Sequence, residues 1–393
     1  TVLERFRQQH PFAEQRDRAL LQNIVFGVLR WRDHLDYIIG CFSRTPLKKI
    51  QPDILNVLRI GTYQIVYLNR IPASAAVNTS VELAKPLAPN WVVRFVNAVM
   101  RKVATGHKEI TYPSFAKEPV MALAVRKSFP PWLIHRWLKR FASEETVRFC
   151  DALNAIPPIT LRANTLKTDR NTLLQLLDRQ GESVHAATNT PDGIVLDHPR
   201  KPLTELEAHQ SGLFQVQDEA AQLVTLLLNP QPGERVLDAC AGRGGKTGHM
   251  SQLMDDTGAV IAADISAVKL KTLSTEMMRL GITIVSTRET NLLEDLPGVD
   301  LDLFDRILLD APCSGLGVLR RNPDAKWAAK KNMFGRYSRR QVALLDSVAP
   351  LVKPGGILVY AVCSIEPEEG ETVIEYFLDR HEDFRLEDPA TIN

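Results

Sequence analysis

Apolar residues recur three and four positions apart along the first third of the chain, which is the spacing of one face of an α-helix. The pattern is clearest at 18–39, 54–68 and 94–103. No alternation typical of a strand appears there, and prolines separate the segments, where helices should end or begin, at positions 46, 52, 72, 86 and 89. Residues 1–130 are therefore predicted to form an all-α domain.

The periodicity changes after a further helical segment that starts at the prolines 130 and 131. "ITLRANT" (159–165) has the composition of a strand, and "RNTLLQLLDRQG" (170–181) that of a helix that ends at a glycine. Two short strands follow, "IVLD" (194–197) and "FQVQD" (214–218). This mixture predicts a small α+β domain over residues 131–213.

From residue 214 to 393 the chain alternates regularly between apolar strands and helical segments. The five predicted strands lie at 235–240, 259–264, 283–287, 306–312 and 357–364. Near-continuous apolar strands with helical crossovers indicate a parallel sheet covered on both faces, hence a doubly wound α/β domain. Such sheets bind ligands at the carboxyl ends of their strands.

Doubly wound sheets often close with antiparallel strands, and the stretch after 386 leaves no room for a hairpin. The sequence also starts without methionine. We therefore expect it to be incomplete at both ends.

Charge is unevenly distributed between these domains. Residues 1–110 carry 16 Lys and Arg against 8 Asp and Glu, although the whole chain has a net charge of only +2. A basic domain suggests an anionic partner such as a nucleic acid. The alternative is a solvated basic surface without a partner.

Five cysteines form an odd set without a C-x-x-C pair, which argues against a disulfide scaffold or a zinc ribbon. We expect a reducing compartment, hence a cytoplasmic protein without a metal. No run of 18 apolar residues occurs, so no membrane association is expected.

A glycine-rich loop follows the first strand of the α/β domain, in "VLDACAGRGGKTGHM" (236–250). It fails the phosphate-loop pattern because Cys240 replaces the first glycine, and it fails the dinucleotide fingerprint because Thr247 replaces the third. Nineteen residues after Gly245, Asp264 ends the second strand, where an acid can bind both hydroxyls of a ribose. These features favour S-adenosylmethionine over a nicotinamide cofactor. The alternative is that the glycines serve only a tight turn.

Cysteines also stand at or just past the predicted strand ends, at 240, 313 and 363, with Asp310 close to the second. A thiolate that adds to carbon 6 of a pyrimidine makes carbon 5 nucleophilic toward a sulfonium methyl group. An acid at ring nitrogen 3 stabilises the developing charge, and a base must later remove the proton from carbon 5. The set is therefore suited to pyrimidine methylation, although a buried structural role is the usual fate of a lone cysteine.

Two motifs around these cysteines resemble the RNA cytosine-5 methyltransferases: "DAPCSGLGVLRRNPDAKW" (310–327) and "YAVCSIEPEEGE" (360–371). The resemblance implies that Cys363 is the nucleophile, that Cys313 helps to release the product, and that Asp310 contacts the cytosine. "FQVQDEAAQLV" (214–224) and "LRANTLK" (161–167) are also similar to the family.

The resemblance extends to the cofactor loop, "CAGRGGKT" (240–247), which departs from the family by Gly242-Arg243 in place of alanine-proline. Asn291, with Glu289 nearby, stands where the family usually has an acid near the adenine. The cofactor contacts that the resemblance implies are Cys240, Ala241, Gly242, Arg243, Gly244, Gly245, Lys246, Asp264, Asn291 and Asp310.

Near the N-terminus, "LRIGTYQIVYLNRIPASAAVNTSVELAK" (58–85) and "RFVNAVMRKV" (94–103) resemble the NusB-type helical domain. Joined to a catalytic domain of this kind, with an RRM-like α+β domain between them, it is similar to bacterial small-subunit rRNA methyltransferases. The resemblance implies S-adenosylmethionine as cofactor, a Rossmann-like catalytic domain, and 16S rRNA or a small-subunit precursor as partner. We expect a monomer.

A basic segment, 320–341, holds eight Lys and Arg and one Asp, with three aromatic residues between them. Basic residues for phosphates and aromatic rings for stacked bases are suited to single-stranded RNA. The predicted RNA contacts are Arg320, Arg321, Lys326 and Trp327. The alternative is a solvated helical face.

Two other functions stay open on the sequence alone. One is a cytosine-5 methyltransferase that acts on another nucleic acid; in a DNA-type enzyme the nucleophile comes from a Pro-Cys motif, here Cys313. The other is a non-catalytic RNA-binding factor in ribosome assembly.

Overall fold

The computed structural model describes residues 15–197, 199–294 and 303–388, together with residues 3, 6 and 9. The chain divides into two compact units, Thr1–Ile156 with Val318–Lys331 and Pro157–Gly317 with Asn332–Asn393. The domain boundaries at 130 and 213 stay a prediction. In the part of the chain that is described, none of the helices combines the length and apolarity needed to cross a membrane.

All regular elements in the described residues of the first unit are helices, as the periodicity predicts. Three of its helices begin with a proline. Proline has no N–H, and at the first position of a helix that group would have no hydrogen-bond partner within the helix. The first helix is kinked at Trp31, whose φ of −108° and ψ of 17° are not helical. The helices are α1 (Gln15–Phe42), α2 (Pro52–Tyr67), α3 (Ala73–Ala84), α4 (Asn90–Gly106), α5 (Pro119–Lys127), α6 (Pro131–Arg140) and α7 (Ser143–Asn154), with 3-10 turns at Leu47–Lys49 and His107–Glu109.

The apolar positions of α1 to α4 meet in one core. Ile39, Leu58, Val96 and Met100 are fully buried within it. Burial of a side chain of this size stabilises the fold by roughly 1.5–3 kcal/mol. The 3.6-residue pattern of the sequence therefore corresponds to real packing faces.

The second unit begins with a small antiparallel sheet in the order β2-β3-β1-β4. Its helix α8 starts at Asp169, whose carboxylate accepts bonds from the backbone N–H groups of Asn171 and Thr172. The elements are β1 (Ile159–Ala163), α8 (Arg170–Arg179), β2 (Val184–Ala186), β3 (Gly193–Leu196), α9 (Glu207–Gln210) and β4 (Phe214–Val216), with a 3-10 turn at Leu203–Glu205. The predicted α+β arrangement is confirmed.

A second sheet of five parallel strands follows, in the order β7-β6-β5-β8-β9. The predicted parallel α/β domain is thus confirmed, although β9 starts five residues earlier than its apolar run. The elements are α10 (Glu219–Leu228), β5 (Arg235–Asp238), α11 (Gly245–Leu253), β6 (Ala259–Asp264), α12 (Ala267–Leu280), β7 (Val285–Glu289), β8 (Phe304–Asp310), α13 (Ala325–Ala328), α14 (Met333–Val348), β9 (Val352–Ala361) and α15 (Glu371–Leu378), with 3-10 turns at Leu316–Val318, Ala349–Leu351 and Pro367–Glu369.

Strand order reverses between β5 and β8. The chain winds outward from β5 through β6 to β7, and then returns to the other side of β5 for β8 and β9. In open α/β sheets a crevice opens at such a switch point, outside the carboxyl ends of the strands. Any site of this unit is therefore expected next to the ends of β5 and β8.

One segment of the basic stretch, Val318–Lys331, belongs to the first unit and contains α13. Lys326 is buried, and its Nζ donates to the carbonyl of Arg30 (2.7 Å) and to Oδ1 of Asn154 (3.1 Å). Trp327 Nε1 donates to the carbonyl of Leu29 (2.6 Å). Both side chains therefore anchor the segment on α1, and the Lys326 ammonium contacts protein rather than solvent.

Burial lowers the pKa of Lys326 to about 7. An unfolded lysine titrates near pH ~10.4. Between these pH values the unfolded chain binds more protons than the folded one. The contribution of Lys326 to the free energy of unfolding therefore increases as the pH rises and decreases as the pH falls.

We predict that the wild type gains stability relative to Lys326→Met as the pH is raised from about 7 to about 10, by at most about 1.4 kcal/mol per pH unit. Denaturant unfolding of both proteins at several pH values measures this difference. Lys331→Met, at an exposed position of the same segment, is the control and should run parallel to the wild type. Parallel curves for Lys326→Met would contradict the prediction.

Candidate active site

The carboxyl ends of β5, β6 and β8 each carry an aspartate: Asp238, Asp264 and Asp310. A cavity opens at the switch point between β5 and β8. It is lined by Gln217, Ala221, Asp238, Cys240, Ala241, Gly242, Arg243, Gly245, Lys246 and Asp310. Most of the predicted cofactor loop therefore faces one cavity together with an acid of the Cys313 motif.

Two glycines with positive φ shape the loop between β5 and α11. Gly242 has a φ of 58° and Gly244 a φ of 83°, a region that side chains other than glycine rarely adopt. A Cβ at Gly244 would lie 2.6 Å from Leu273 Cγ. Glycine is thus required where the loop turns toward α11, whose first N–H groups begin at Gly245.

Asp264 is buried and tied to the same loop. Its Oδ2 accepts a bond from the Gly242 N–H (3.0 Å), and its Oδ1 accepts one from the Ser266 N–H (2.9 Å). A carboxylate has about four acceptor sites, so both oxygens keep the capacity to accept bonds from a diol. The residue predicted to bind a ribose is therefore held in a fixed orientation beside the glycine loop.

Lys246 connects the loop to the Cys313 motif. Its Nζ lies 2.5 Å from Asp310 Oδ2; the Lys246 side chain is 17% exposed and that of Asp310 34%. Behind them, Asp238 is fully enclosed and accepts a bond from Thr247 Oγ1 (2.7 Å). Burial raises the pKa of Asp238 to about 7, against the opposing effect of that bond.

Arg162 supports the loop from the antiparallel sheet. Its guanidinium is fully buried and donates to the carbonyl of Gly245 (3.1 Å) and to Oε1 of Gln252 (2.9 Å), both in α11. Burial lowers the pKa of Arg162 to about 9. The small sheet thereby fixes the start of the helix that follows the glycine loop.

Cys313 and Cys363 meet at the ends of β8 and β9. The two strands are paired in register, Asp310 opposite Ala361, and the two Sγ atoms lie 3.1 Å apart. The loops are also joined by a bond from the Gly317 N–H to the Cys363 carbonyl (3.0 Å). Adjacent parallel strands therefore bring together two thiols that are 50 residues apart in the chain.

The hydrogen bond between the Cys313 and Cys363 thiols is the main influence on both pKa values. This bond lowers the pKa of Cys363, against the opposing effect of burial. It raises the pKa of Cys313, and burial raises it further. Cys363 is the more exposed of the two, so it is the thiol of the pair that is favoured as a thiolate.

Cys240, the third strand-end cysteine, behaves differently. It is partly buried, and burial raises its pKa to about 12, with neighbouring carboxylates adding to the effect. It stays a neutral thiol at neutral pH, suited to lining the cavity rather than to attacking a substrate.

Asn291 and the predicted RNA contacts are not among the residues that line the cavity. Asn291 follows β7, and its amide donates to Glu294 Oε1 (2.7 Å) within a local turn. Arg320, Arg321, Lys326 and Trp327 belong to the first unit. Across the ranges that the structure describes, no group of three or more His, Cys, Asp or Glu could hold a metal ion.

Sequence reasoning did not assign three contributors to the site: Arg162, Gln217 and Ala221. Each lies in a stretch noted only for its similarity to a family, "LRANTLK" or "FQVQDEAAQLV". Asp238, the last residue of β5, is a further contributor to which no motif of the sequence assigns a role. No local spacing distinguishes these residues, because their place depends on packing between the two sheets.

Three family models match the chain in order along its length. The NusB family matches residues 2–105, a ferredoxin-like domain of RsmF/B-like methyltransferases matches 129–202, and the 16S rRNA methyltransferase RsmB/F family matches 225–393. The predicted fold class, with a NusB-like helical domain, a small α+β domain and a Rossmann-like domain, is confirmed.

Curated relatives are similar over nearly the whole chain. The "probable ribosomal RNA small subunit methyltransferase B" of Synechocystis sp. is 38% identical over 388 residues, which is 98% of this chain and 86% of that protein. The protein of the same description from Bacillus subtilis is 36% identical over 371 residues, which is 94% of this chain and 81% of the relative.

Solved structures with a similar fold also match this chain. PH0851 superposes with a TM-score of 0.79 at 27% identity, covering 95% of this chain and 84% of that one. A methyltransferase homolog from Pyrococcus horikoshii has a TM-score of 0.59 at 30% identity, covering 66% of this chain and 82% of its own.

We predict that Cys313→Ala slows alkylation of Cys363 by iodoacetamide at neutral pH and moves its pH midpoint upward, because the bond that lowers the pKa of Cys363 is lost. Mass spectrometry of the Cys363 peptide between pH 6 and 10 measures the midpoint. The exposed Cys41 is an internal standard whose rate should not change. An unchanged or lower midpoint would show that Cys313 does not donate to Cys363.

Proposed function

Since this chain belongs to the RsmB/F family of 16S rRNA methyltransferases, we propose that it methylates carbon 5 of a cytosine in 16S rRNA through a covalent adduct of Cys363 with carbon 6. The observation that carries the proposal is the pair of thiols 3.1 Å apart, at strand ends next to the Lys246–Asp310 ion pair.

S-adenosylmethionine fits the residues at the switch point and, when bound, supplies the methyl group as a sulfonium. Asp264 retains acceptor capacity for the ribose hydroxyls, and the loop from Cys240 to Lys246 allows close backbone approach at its glycines. Asn291 keeps its proposed place near the adenine, although its amide bonds Glu294 in this structure.

Methylation begins with Cys363. Its thiolate forms a bond to carbon 6, and the electrons of the ring double bond move toward carbon 5 and nitrogen 3. Asp310, held by Lys246, contacts the cytosine, and in its protonated form it donates to nitrogen 3 and so stabilises the negative charge that develops there. Carbon 5 then forms its bond to the methyl group, and the electrons of the broken bond remain with the donor sulfur.

Release of the product requires loss of the proton on carbon 5. While Cys363 carries charge, the pKa of Cys313 is raised by its bond to that sulfur. In the adduct Cys363 is a neutral thioether, so this cause of the raised pKa is removed while burial remains, and Cys313 becomes a thiolate by releasing its own proton to solvent. The Cys313 thiolate then accepts the carbon 5 proton, the double bond re-forms, and Cys363 leaves carbon 6 as a thiolate.

Ribosomal RNA as partner is supported by the excess of Lys and Arg over Asp and Glu in residues 1–110. The target base must leave its stack to reach a thiol in a crevice. Arg320 and Arg321 stay proposed phosphate contacts. Lys326 and Trp327 act at most indirectly, by anchoring their segment, since their polar groups bind Arg30, Asn154 and Leu29.

We predict that Asp264→Ala weakens S-adenosylmethionine binding roughly ten- to a hundredfold, because a hydrogen bond to a charged group contributes about 1.5–3 kcal/mol. Isothermal titration calorimetry measures the dissociation constant. Asp178→Ala, an exposed acid in α8 of the same unit, is the control. Equal affinity of Asp264→Ala and the wild type would remove Asp264 from the cofactor site.

The roles of the two cysteines can be distinguished by the covalent intermediates that their variants form. Cys363→Ala should abolish methylation and form no adduct, whereas Cys313→Ala should attack, transfer the methyl group and then stall as protein bound to RNA. Denaturing gels detect the adduct, and mapping of 5-methylcytosine in 16S rRNA detects the product of the wild type. Adduct formation by Cys363→Ala with inert Cys313→Ala would make Cys313 the nucleophile. No 5-methylcytosine from the wild type, on rRNA or on small-subunit particles, would refute the proposed function.

A further inference from the structure

A buried carboxylate that the proposed chemistry does not use lies behind the two cysteines. Glu369 is fully buried in the 3-10 turn that follows β9. Its Oε1 accepts a bond from the Ser314 N–H (2.7 Å), and its Oε2 accepts bonds from Ser314 Oγ (2.5 Å) and Ser364 Oγ (2.6 Å). Ser314 directly follows Cys313, and Ser364 directly follows Cys363. One carboxylate therefore binds the next residue of both cysteine loops.

Glu369 is itself held from two sides. The Tyr360 hydroxyl, on β9, donates to the Glu369 carbonyl (2.7 Å). The buried Gln341, on α14, donates to Glu369 Oε1 (3.3 Å) and to the carbonyl of Pro312 (3.1 Å). The carboxylate thus occupies a fixed point between the two loops.

Packing alone does not require a charge at this position. Burying an ionised carboxylate is strongly unfavourable unless hydrogen bonds satisfy it, and an apolar side chain would fill the same volume without that cost. The hydroxyls of Ser314 and Ser364 also lie 3.1 Å apart, so the carboxylate holds two donors that converge. What the arrangement provides is a defined separation between the loops that carry the thiols.

We propose that Glu369 is a positioning residue that sets the distance and mutual orientation of the Cys313 and Cys363 thiols through Ser314 and Ser364. The catalytic part of this inference rests on the proposed function. Strand pairing ends at Ala361 opposite Asp310, so the thiols lie beyond the ladder, and the carboxylate bonds continue the connection between the two loops. Displacement of a reacting group by about 1 Å can reduce a rate by about a hundredfold.

The first test separates rate from binding. Glu369→Gln keeps the shape of the side chain but loses the charge, and it should lower kcat about ten- to a hundredfold with the KM for RNA and the affinity for S-adenosylmethionine nearly unchanged. Ser364→Ala removes one bond to the Glu369 carboxylate, together with the contacts of Ser364 Oγ with Ser314 Oγ and the Glu366 N–H, and it should lower kcat in the same direction by less. Glu375→Gln, at an exposed position on α15, is the matched control and should behave as wild type.

A second test reads the thiol geometry without RNA or methyl transfer. Phenylarsine oxide condenses with two neighbouring thiols to give one arsenic-bridged adduct and one water. In the wild type it should bridge Cys313 to Cys363 and protect both from N-ethylmaleimide, as peptide mass spectrometry detects. Glu369→Gln and Ser364→Ala should bridge more slowly, and Glu375→Gln should match the wild type.

Slower bridging together with lower kcat supports the proposal. Unchanged bridging in both variants overturns it, whatever the effect on kcat, and so does slower bridging with unchanged kcat. If Glu369→Gln does not fold, Ser364→Ala decides the matter by the same criteria. A wild type that bridges as expected but makes no 5-methylcytosine would refute the proposed function while leaving the thiol-positioning role of Glu369 intact.

Discussion

Parallel pairing of β5, β8 and β9 is the constraint on which the rest of the site depends. It places the carboxyl ends of three strands side by side, so that Asp238, Asp310 and the two cysteine loops share one edge of the sheet. The reversal of strand order at β5 opens the crevice that the glycine loop lines. Loss of this pairing would separate the cofactor loop from the thiols, even if every side chain were retained.

Burial then gives chemically similar residues different roles. Cys240 stays a neutral thiol because it is enclosed near carboxylates, whereas Cys363 is more exposed and receives a bond from Cys313. Among the acids, Asp238 is fully enclosed with a raised pKa, while Asp310 is paired with Lys246 at the cavity. These differences between residues of the same type follow from their solvent access and their hydrogen bonds.

One segment of the C-terminal half of the chain belongs to the first unit. The segment 318–331 starts directly after the Cys313 motif and belongs to the first unit, where Lys326 and Trp327 bind backbone carbonyls of α1. The buried Lys326 ammonium donates to Arg30 and Asn154 and lies over the Phe129 ring (4.1 Å). Some residues of the first, helical unit therefore lie within the part of the sequence that matches the methyltransferase family.

Local pattern determined much of this protein. The 3.6-residue spacing predicts α1, α2 and α4, the apolar runs predict five parallel strands, and the acids and cysteines at their ends predict where the site lies, because each signal is carried by neighbours in the chain. Strand order, the 3.1 Å approach of the thiols and the hydrogen bonds of Glu369 were decided only by tertiary structure. In "IEPEEGE" nothing in the local pattern distinguishes Glu369 from the other glutamates, and in 320–341 Lys326 is one cation among eight. Whether such a charge meets water or a buried partner depends on contacts between residues far apart in the chain, which no local spacing records.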